Sequence, residues 1–114
     1  MKEQRIKALL LHMLEDLNDI ERFTQNVTKE EFCSNTMIKK AVCMSFLNIG
    51  EIVRILPEEL TKRNPDIPWA SIVGLRNRTA HGYHSLDEEV IWDIAKNDLK
   101  ELERVIIQEL RQLN

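Results

Sequence analysis

Apolar residues recur along most of this chain at steps of three and four positions, which is the spacing of one buried face on an α-helix. The first series predicts a helix over residues 2–24, because charged side chains occupy the face opposite the apolar one. A second series runs from Ile38 to Leu56, and a third runs from Ile91 to Leu113. The pattern therefore predicts long amphipathic helices as the main elements of the fold.

Short capping signals predict where these helices begin. Thr28 and Glu31 have the spacing of a capping box, which predicts a short helical turn around residues 29–34. Candidate N-caps for the second long helix are Ser34, Asn35 and Thr36. Those for the last helix are Ser85 and Asp87.

Prolines and a glycine divide the second half of the chain. Pro57 either ends or kinks the second long helix, or lies in the first turn of a short helix that follows it. Residues 61–68 contain two prolines among polar neighbours and are predicted to form a loop. A further helix is predicted from Pro68 towards His81, and Gly82 is suited to end it.

Length and composition narrow the fold to one all-α domain. The chain has 114 residues, of which 43% are hydrophobic and 31% are charged, a balance typical of globular proteins. It contains only three glycines and three prolines, too few for the many turns of a β-sandwich or barrel. The sequence predicts an up-and-down bundle of four to five helices, with residues 1–114 as a single domain.

Charge and cysteine content exclude several other classes of protein. No apolar run approaches the roughly 18 residues that span a membrane, and the N-terminus lacks the apolar core of a signal peptide. Cys33 and Cys43 are predicted to be free thiols in a reducing cytoplasm rather than a disulfide. The net charge of −3 argues against a protein that coats nucleic acid by bulk charge, while a local basic site stays open.

Chemically capable side chains are concentrated where the helix before Gly82 is predicted to end. They are, in chain order, Arg76, Asn77, Arg78, His81, Tyr83 and His84. Asn77 and His81 are four positions apart and share a helix face, whereas Arg76 and His81 are about 140° apart around the helix. Arg76 and His81 therefore converge only if the chain turns near His81 or if two copies of the chain face each other.

These residue types suit cleavage of an RNA phosphodiester without a metal ion. A histidine titrates near pH ~6.5 and can move the proton of the attacking 2′-hydroxyl, while an arginine can stabilise charge on the phosphoryl oxygens. His81 and His84 are three positions apart, but no carboxylate or cysteine stands at ligand spacing beside them, so no metal site is predicted. A structural interpretation also stays open, because an arginine and a histidine at a helix end are commonly solvated charges.

The wider sequence resembles the HEPN-domain toxins of the HepT type, which are small all-α ribonucleases. The residues that carry the resemblance are the motif Arg76-x4-His81-x-Tyr83, the run Ile72–Asn77, and the triplets and pair Ile49-Gly50-Glu51, Ile67-Pro68-Trp69, Val90-Ile91-Trp92 and Asp98-Leu99. The resemblance spans most of residues 38–105. Leu75 and Lys100 depart from the family pattern, which has methionine and proline there, but neither belongs to the motif.

The resemblance implies a homodimeric ribonuclease toxin from a toxin–antitoxin system of type II or type VII, with no metal and no cofactor. Arg76 and His81 of both copies would face one cleft at the dimer interface as the catalytic pair, with Asn77 orienting His81 or the phosphate. The implied partner is a nucleotidyltransferase antitoxin of the MNT type, which would add AMP to Tyr83. RNA is the implied substrate, and neither DNA nor a membrane is an expected partner.

Four residues around this motif carry further predictions. Gly50 is predicted to permit close packing of two helices. Glu51 either supports Arg76 or is a solvated charge. Arg78 is a candidate RNA contact, and His84 either contacts phosphate or is simply exposed.

Two other functions stay open on the sequence alone. One is a non-catalytic helical binding module that partners a nucleotidyltransferase without cutting RNA, and the other is a plain helical dimerisation domain. A ribonuclease must lose activity when His81 is replaced by alanine, whereas a binding module keeps its partner affinity through the same change. A dimerisation domain tolerates replacement of Arg76, His81 and Tyr83 together.

Overall fold

α-Helices make up nearly all of the chain that the structure describes. The computed structural model describes residues 2–80 and 87–113, and no β-strand occurs in them. The elements are, in chain order, α1 (Glu3–Thr24), α2 (Lys29–Ser34), α3 (Thr36–Ile55), α4 (Glu58–Lys62), α5 (Trp69–Ala80), α6 (Glu88–Asp93), a π-helical segment (Ile94–Asp98) and α7 (Lys100–Gln112). The predicted all-α class and helical bundle are confirmed, but the described residues form seven α-helices rather than four to five, because three short helices of five or six residues were not counted separately.

The predicted capping signals set the starts of three of these helices. The Thr28 hydroxyl accepts from the Glu31 backbone N–H at 3.1 Å, and the Glu31 carboxylate accepts from the Thr28 backbone N–H at 3.1 Å. This reciprocal pair is the predicted capping box of α2. Of the offered N-caps, Asn35 caps α3 by accepting from the Ile38 backbone N–H at 3.0 Å, and Asp87 caps α6.

Pro57 separates α3 from a short helix. α3 ends at Ile55, so the prediction that the long helix stops before Pro57 is confirmed. Pro57 is the N-cap of α4 rather than a member of its first turn. α4 continues to Lys62, into the stretch predicted to be a loop, where Lys62 forms an ion pair with Glu58 at 2.9 Å. A pair one helical turn apart favours this extra turn.

The predicted last helix is interrupted, so the prediction of one continuous helix to Leu113 is wrong. α6 and α7 are joined by the wider π-helical turn. Within that turn, the Lys96 Nζ donates to the Thr24 carbonyl oxygen at 3.3 Å and lies 5.3 Å from the centre of the Trp92 ring. The carbonyl at the end of α1 thereby gains a partner that regular helical spacing in the sequence does not reveal.

The core lies where the long helices meet. α3 packs against both α5 and α1, and α1 packs against α7. Met13, Ile20 and Val42 are completely buried at the centre of this cluster. Cys33 and Cys43 are free, as predicted.

A cluster of hydrogen-bonded side chains joins α7 to the loop before α5. We call it the polar clamp, and its residues are Arg63, Asn64, Trp69 and Glu109. The buried Glu109 carboxylate accepts from Arg63 at 2.6 Å and 3.1 Å, and from the Asn64 side-chain amide at 2.9 Å. The Trp69 indole N–H donates to the carbonyl oxygens of Asn64 and Thr61 at 2.9 Å and 3.1 Å. The clamp therefore ties α7 to the loop from which α5 begins.

None of the described helices combines the length with the apolar character that crossing a bilayer requires.

Candidate functional site

The predicted site residues belong to two helices and to the segment of the chain that follows α5. Arg76, Asn77 and Arg78 lie near the end of α5, and Glu51 lies on α3. The remaining predicted residues, His81, Tyr83 and His84, lie outside the described residues. Near the end of α5, the buried Thr79 hydroxyl donates to the Leu75 carbonyl oxygen of the same helix at 2.8 Å.

Gly50 is a point of close contact between α3 and α5. A Cβ atom built at position 50 would overlap the Cβ of Arg76, and it would lie 3.3 Å from the Ile72 carbonyl oxygen. The Arg76 side chain therefore passes directly over the bare backbone of Gly50. The prediction that Gly50 permits close helix packing is confirmed.

Arg76 is held by two oxygen atoms on either side of it. Its Nε forms an ion pair with the Glu51 Oε1, and its Nη1 donates to the Asn77 Oδ1 at 3.0 Å. The Arg76 side chain is 23% exposed and the Glu51 side chain 45% exposed. The Nε is buried and has no aligned hydrogen bond in the described part of the chain, so charge attraction and packing over Gly50 fix its position. The ion pair places Glu51 against Arg76, whereas a supporting role of Glu51 in function stays a prediction.

A second cation shares the same carboxylate. The Arg54 Nη1 donates to the Glu51 Oε1 at 3.1 Å, one turn further along α3. Two guanidinium groups therefore share one carboxylate. An arginine presents a planar fork of N–H donors that matches the oxygens of a phosphate.

The other two described site residues have separate surroundings. The Asn77 amide oxygen accepts from Arg76, so this end of Asn77 is engaged with the arginine. Arg78 is exposed on the last turn of α5, in keeping with a surface contact.

A polar recess that was not predicted from the sequence lies next to Glu51. Its volume is about 330 Å³, and it lies between α1 and α3. Its lining residues are His12, Glu15, Asp16, Asn48, Glu51 and Ile52. Burial raises the pKa of the Asp16 carboxyl, which also accepts from Asn48 at 3.4 Å. The sequence did not predict this recess, because His12 lies beside the apolar stripe of the first helix and has the spacing of a structural residue.

In residues 2–80 and 87–113, no three His, Cys, Asp or Glu side chains are grouped in a way that could hold a metal ion. The described arrangement can instead bind an anion, because Arg76 is oriented by Glu51 and Asn77 and is partly open to solvent.

Comparison with known proteins gives a consistent family. Residues 13–109 match the family model described as ribonuclease HepT-like. A protein of Methanocaldococcus jannaschii with the provisional name RNase MJ0127 is 37% identical over 110 residues, which are 93% of this chain and 91% of that protein. A second protein of that organism, provisionally named RNase MJ1380, is 34% identical over 106 residues, 93% of this chain and 97% of its own length.

A relative from a second organism is also named as a ribonuclease. A Thermococcus cleftensis protein provisionally named ribonuclease HepT is 29% identical over 96 residues, which are 84% of this chain and 87% of that protein. No solved structure matches the chain. The family model covers far more than half of the sequence, and the fold is the expected helical bundle. This chain therefore belongs to the HepT-like ribonuclease family, within the HEPN-type helical proteins.

Proposed function

We propose that this chain is a metal-independent endoribonuclease and the toxin component of a toxin–antitoxin system. The observation that carries the proposal is the fixed position of Arg76, which lies over Gly50 and is paired with Glu51. Membership of a family described as HepT-like ribonucleases supports the reaction class. Arg76 also begins the motif Arg76-x4-His81-x-Tyr83.

The chemistry is transfer of a phosphoryl group within the RNA. The 2′-oxygen attacks the neighbouring phosphorus, and the bond from phosphorus to the 5′-oxygen of the next nucleotide breaks. His81 moves the proton, either taking it from the 2′-hydroxyl or giving it to the departing 5′-oxygen. Arg76 stabilises the negative charge that develops on the phosphoryl oxygens. Glu51 and Asn77 keep the guanidinium oriented, and Arg78 and His84 contact the RNA beside it.

Replacement of Arg76 tests this proposal. Arg76→Ala is expected to lower the rate of RNA cleavage in the presence of a chelator by about 10²-fold to 10³-fold, because one charge-stabilising group is lost. Arg76→Lys retains the charge without the planar fork and is expected to recover only part of the rate. Initial rates on a labelled single-stranded RNA measure the effect.

Arg22→Ala is the matched control, because Arg22 is an exposed arginine on α1 that pairs only loosely with Asp19 at 3.6 Å. It should leave the rate unchanged. If Arg76→Ala and Arg22→Ala cleave equally fast, then Arg76 has no part in the reaction and the proposal fails.

The functional unit that we propose is a homodimer that docks through one face of α3. Six residues on this face lie within about 40° of one line along the helix, and we call them the α3 stripe: Met37, Ala41, Met44, Asn48, Glu51 and Ile55. Met37, Met44 and Ile55 are large apolar side chains exposed by 76%, 58% and 44%. An exposed apolar row of this kind marks an interaction surface. The stripe includes Glu51, so a second copy docked there would bring its own Arg76 to the same region.

Control by a nucleotidyltransferase antitoxin completes the proposal. The Tyr83 hydroxyl would attack the α-phosphorus of ATP, form a phosphodiester to AMP and release pyrophosphate. The new negative charge beside the RNA site would repel the phosphate backbone. Co-expression with such an enzyme should add the mass of one AMP unit to the wild-type chain and none to Tyr83→Phe. Addition of AMP to both the wild type and Tyr83→Phe would assign the modification to another residue.

A further inference from the structure

The side of the molecule formed by α1 and α7 carries a long groove that the ribonuclease chemistry does not use. Two cavities of about 660 Å³ and 550 Å³ adjoin there, because Arg104 and Ile107 line both of them. We call this feature the α1/α7 groove. It extends from Lys96 in the π-helical segment to Arg111 near the end of α7, a helical length of about 22 Å at 1.5 Å per residue.

The floor of the groove is apolar and only partly covered. Leu17 of α1 is buried beneath it, while Leu99, the residue before α7, and Ile107 of α7 are half-buried along its length. Leu99 and Ile107 are eight positions apart, which places them about 12 Å apart along the helix and about 80° apart around it, with Glu103 midway between them. Two apolar sites about 12 Å apart along the groove suit the apolar face of another helix, which would insert side chains at that spacing.

The rim of the groove is basic. Lys96, Lys100 and Arg104 follow one another at steps of four residues, and Arg111 continues the basic edge. Two acidic side chains, Glu21 and Glu103, also line the groove, so basic residues outnumber acidic ones there by four to two. Across the whole chain the balance is the reverse, with 16 basic and 19 acidic residues. The groove is thus a local positive surface on an acidic protein.

Two of the four cations have partners within the chain. The Lys96 Nζ donates to the Thr24 carbonyl oxygen, and Arg104 forms an ion pair with Glu101, which is outside the groove. The side chains of Lys96 and Arg104 are exposed, so each can contact a carboxylate of a partner protein and also keep its existing contact. Lys100 and Arg111 extend the positive charge towards the two ends.

We propose that the α1/α7 groove docks an amphipathic helix of a partner protein, about four turns long, with acidic side chains flanking an apolar face. The apolar floor favours a helix over an RNA strand, because a phosphate backbone gains nothing from leucine and isoleucine side chains. The basic rim selects acidic partners over neutral ones. The proposal is independent of the ribonuclease proposal, since no groove residue belongs to the motif.

A designed peptide tests the groove directly. The probe is a labelled 16-residue helix with leucines at steps of three and four and glutamates beside them, and its binding to the full chain is followed by fluorescence anisotropy. We expect saturable binding that weakens as salt is added. Lys100→Glu should weaken binding about 10-fold, since one attractive contact becomes repulsive.

Two matched controls define the outcome. Arg22→Glu makes the same change of charge type on an exposed part of α1 that does not line the groove, and it should bind the peptide as the wild type does. A second peptide with lysines in place of the glutamates should not bind. Circular dichroism of each variant confirms that it is folded.

Three results would overturn the proposal. The first is no saturable binding of the acidic peptide up to about 1 mM, the limit of weak specific affinity. The second is equal affinity of the wild type and Lys100→Glu. The third is binding of a single-stranded RNA that Lys100→Glu weakens while the peptide is unaffected, because the groove would then be a nucleic-acid surface.

Discussion

At the scale of single residues, Gly50 decides how Arg76 is held. Gly50→Ala should destabilise the protein by about 1–3 kcal/mol, because the new Cβ would overlap the Arg76 Cβ and force α3 and α5 apart. It should also lower RNA cleavage, since Arg76 would leave its position against Glu51. Thermal unfolding and initial cleavage rates measure the two effects.

Gly74 supplies the matched control for this substitution. A Cβ at Gly74 meets no atom within 4 Å, so Gly74→Ala should only gain helix propensity, about 0.5–1 kcal/mol of stability. If Gly50→Ala is as stable as Gly74→Ala, the close crossing of α3 and α5 is wrong.

Glu109 is a second single residue that we expect to affect the stability of the protein strongly. Hydrogen bonds from Arg63 hold its pKa below the usual value of 4.5. A group with a lowered folded pKa stabilises the protein above its unfolded pKa, and that stabilisation is lost as the pH falls through the folded value. We therefore expect the free energy of unfolding to decrease below about pH 4.5.

Glu109→Gln should remove this component of the acid sensitivity. At neutral pH it should lower the free energy of unfolding by about 1–3 kcal/mol, because charged hydrogen bonds to Arg63 and Asn64 are weakened. At low pH the difference from the wild type should shrink. Urea denaturation of both proteins at several pH values measures it, and a constant difference at all pH values would contradict the assigned cause.

At the scale of helices, local signals were enough to predict most elements and tertiary contacts explain the exceptions. The starts of α2 and α3 follow from Thr28 and Asn35, whose capping bonds lie within three residues. The π-helical segment could not be predicted, because its contact between Lys96 and Thr24 joins positions 72 apart. The extra length of α4 was missed because the prolines after it dominate the local pattern.

The site divides in the same way. The residue types and their order near Arg76 were visible in the sequence, and so was the close packing at Gly50. The contact between Glu51 and Arg76 could not be predicted, because it depends on the crossing of α3 and α5, which brings together positions 25 apart in the chain. The recess beside Glu51 is also a product of packing, here of α1 against α3.

The α3 stripe carries the prediction that belongs to a whole helix. Met44→Glu should convert the proposed homodimer to a monomer, because a charge would replace an apolar side chain that is 58% exposed at the centre of the stripe. The monomer should be folded but slow in RNA cleavage. Light scattering after size-exclusion chromatography gives the molar mass.

Val90→Glu is the control, since Val90 is an apolar residue on α6 that is 47% exposed and does not belong to the stripe. It should keep the mass and the activity of the wild type. A dimer that survives Met44→Glu unchanged would place the interface elsewhere.

At the scale of the whole molecule, the bundle holds Arg76 at the crossing of α3 and α5 and carries two further surfaces, the α3 stripe and the α1/α7 groove. The α3 stripe lies beside Arg76, whereas the α1/α7 groove is formed by other helices. Docking of an acidic helix is therefore expected to respond to different substitutions from those that affect dimerisation and cleavage. Loss of peptide binding without loss of dimerisation or cleavage would show that the two surfaces act separately.

The central claim is that this chain cuts RNA without a metal ion and through His81. The most direct measurement incubates the purified chain, expressed without an antitoxin, with RNA in excess chelator, beside His81→Ala. Cleavage by the wild type and a rate lowered by at least about 10²-fold in His81→Ala are the predicted results. Equal cleavage by both proteins, or no cleavage by a wild-type chain whose intact mass shows Tyr83 unmodified, would contradict the claim.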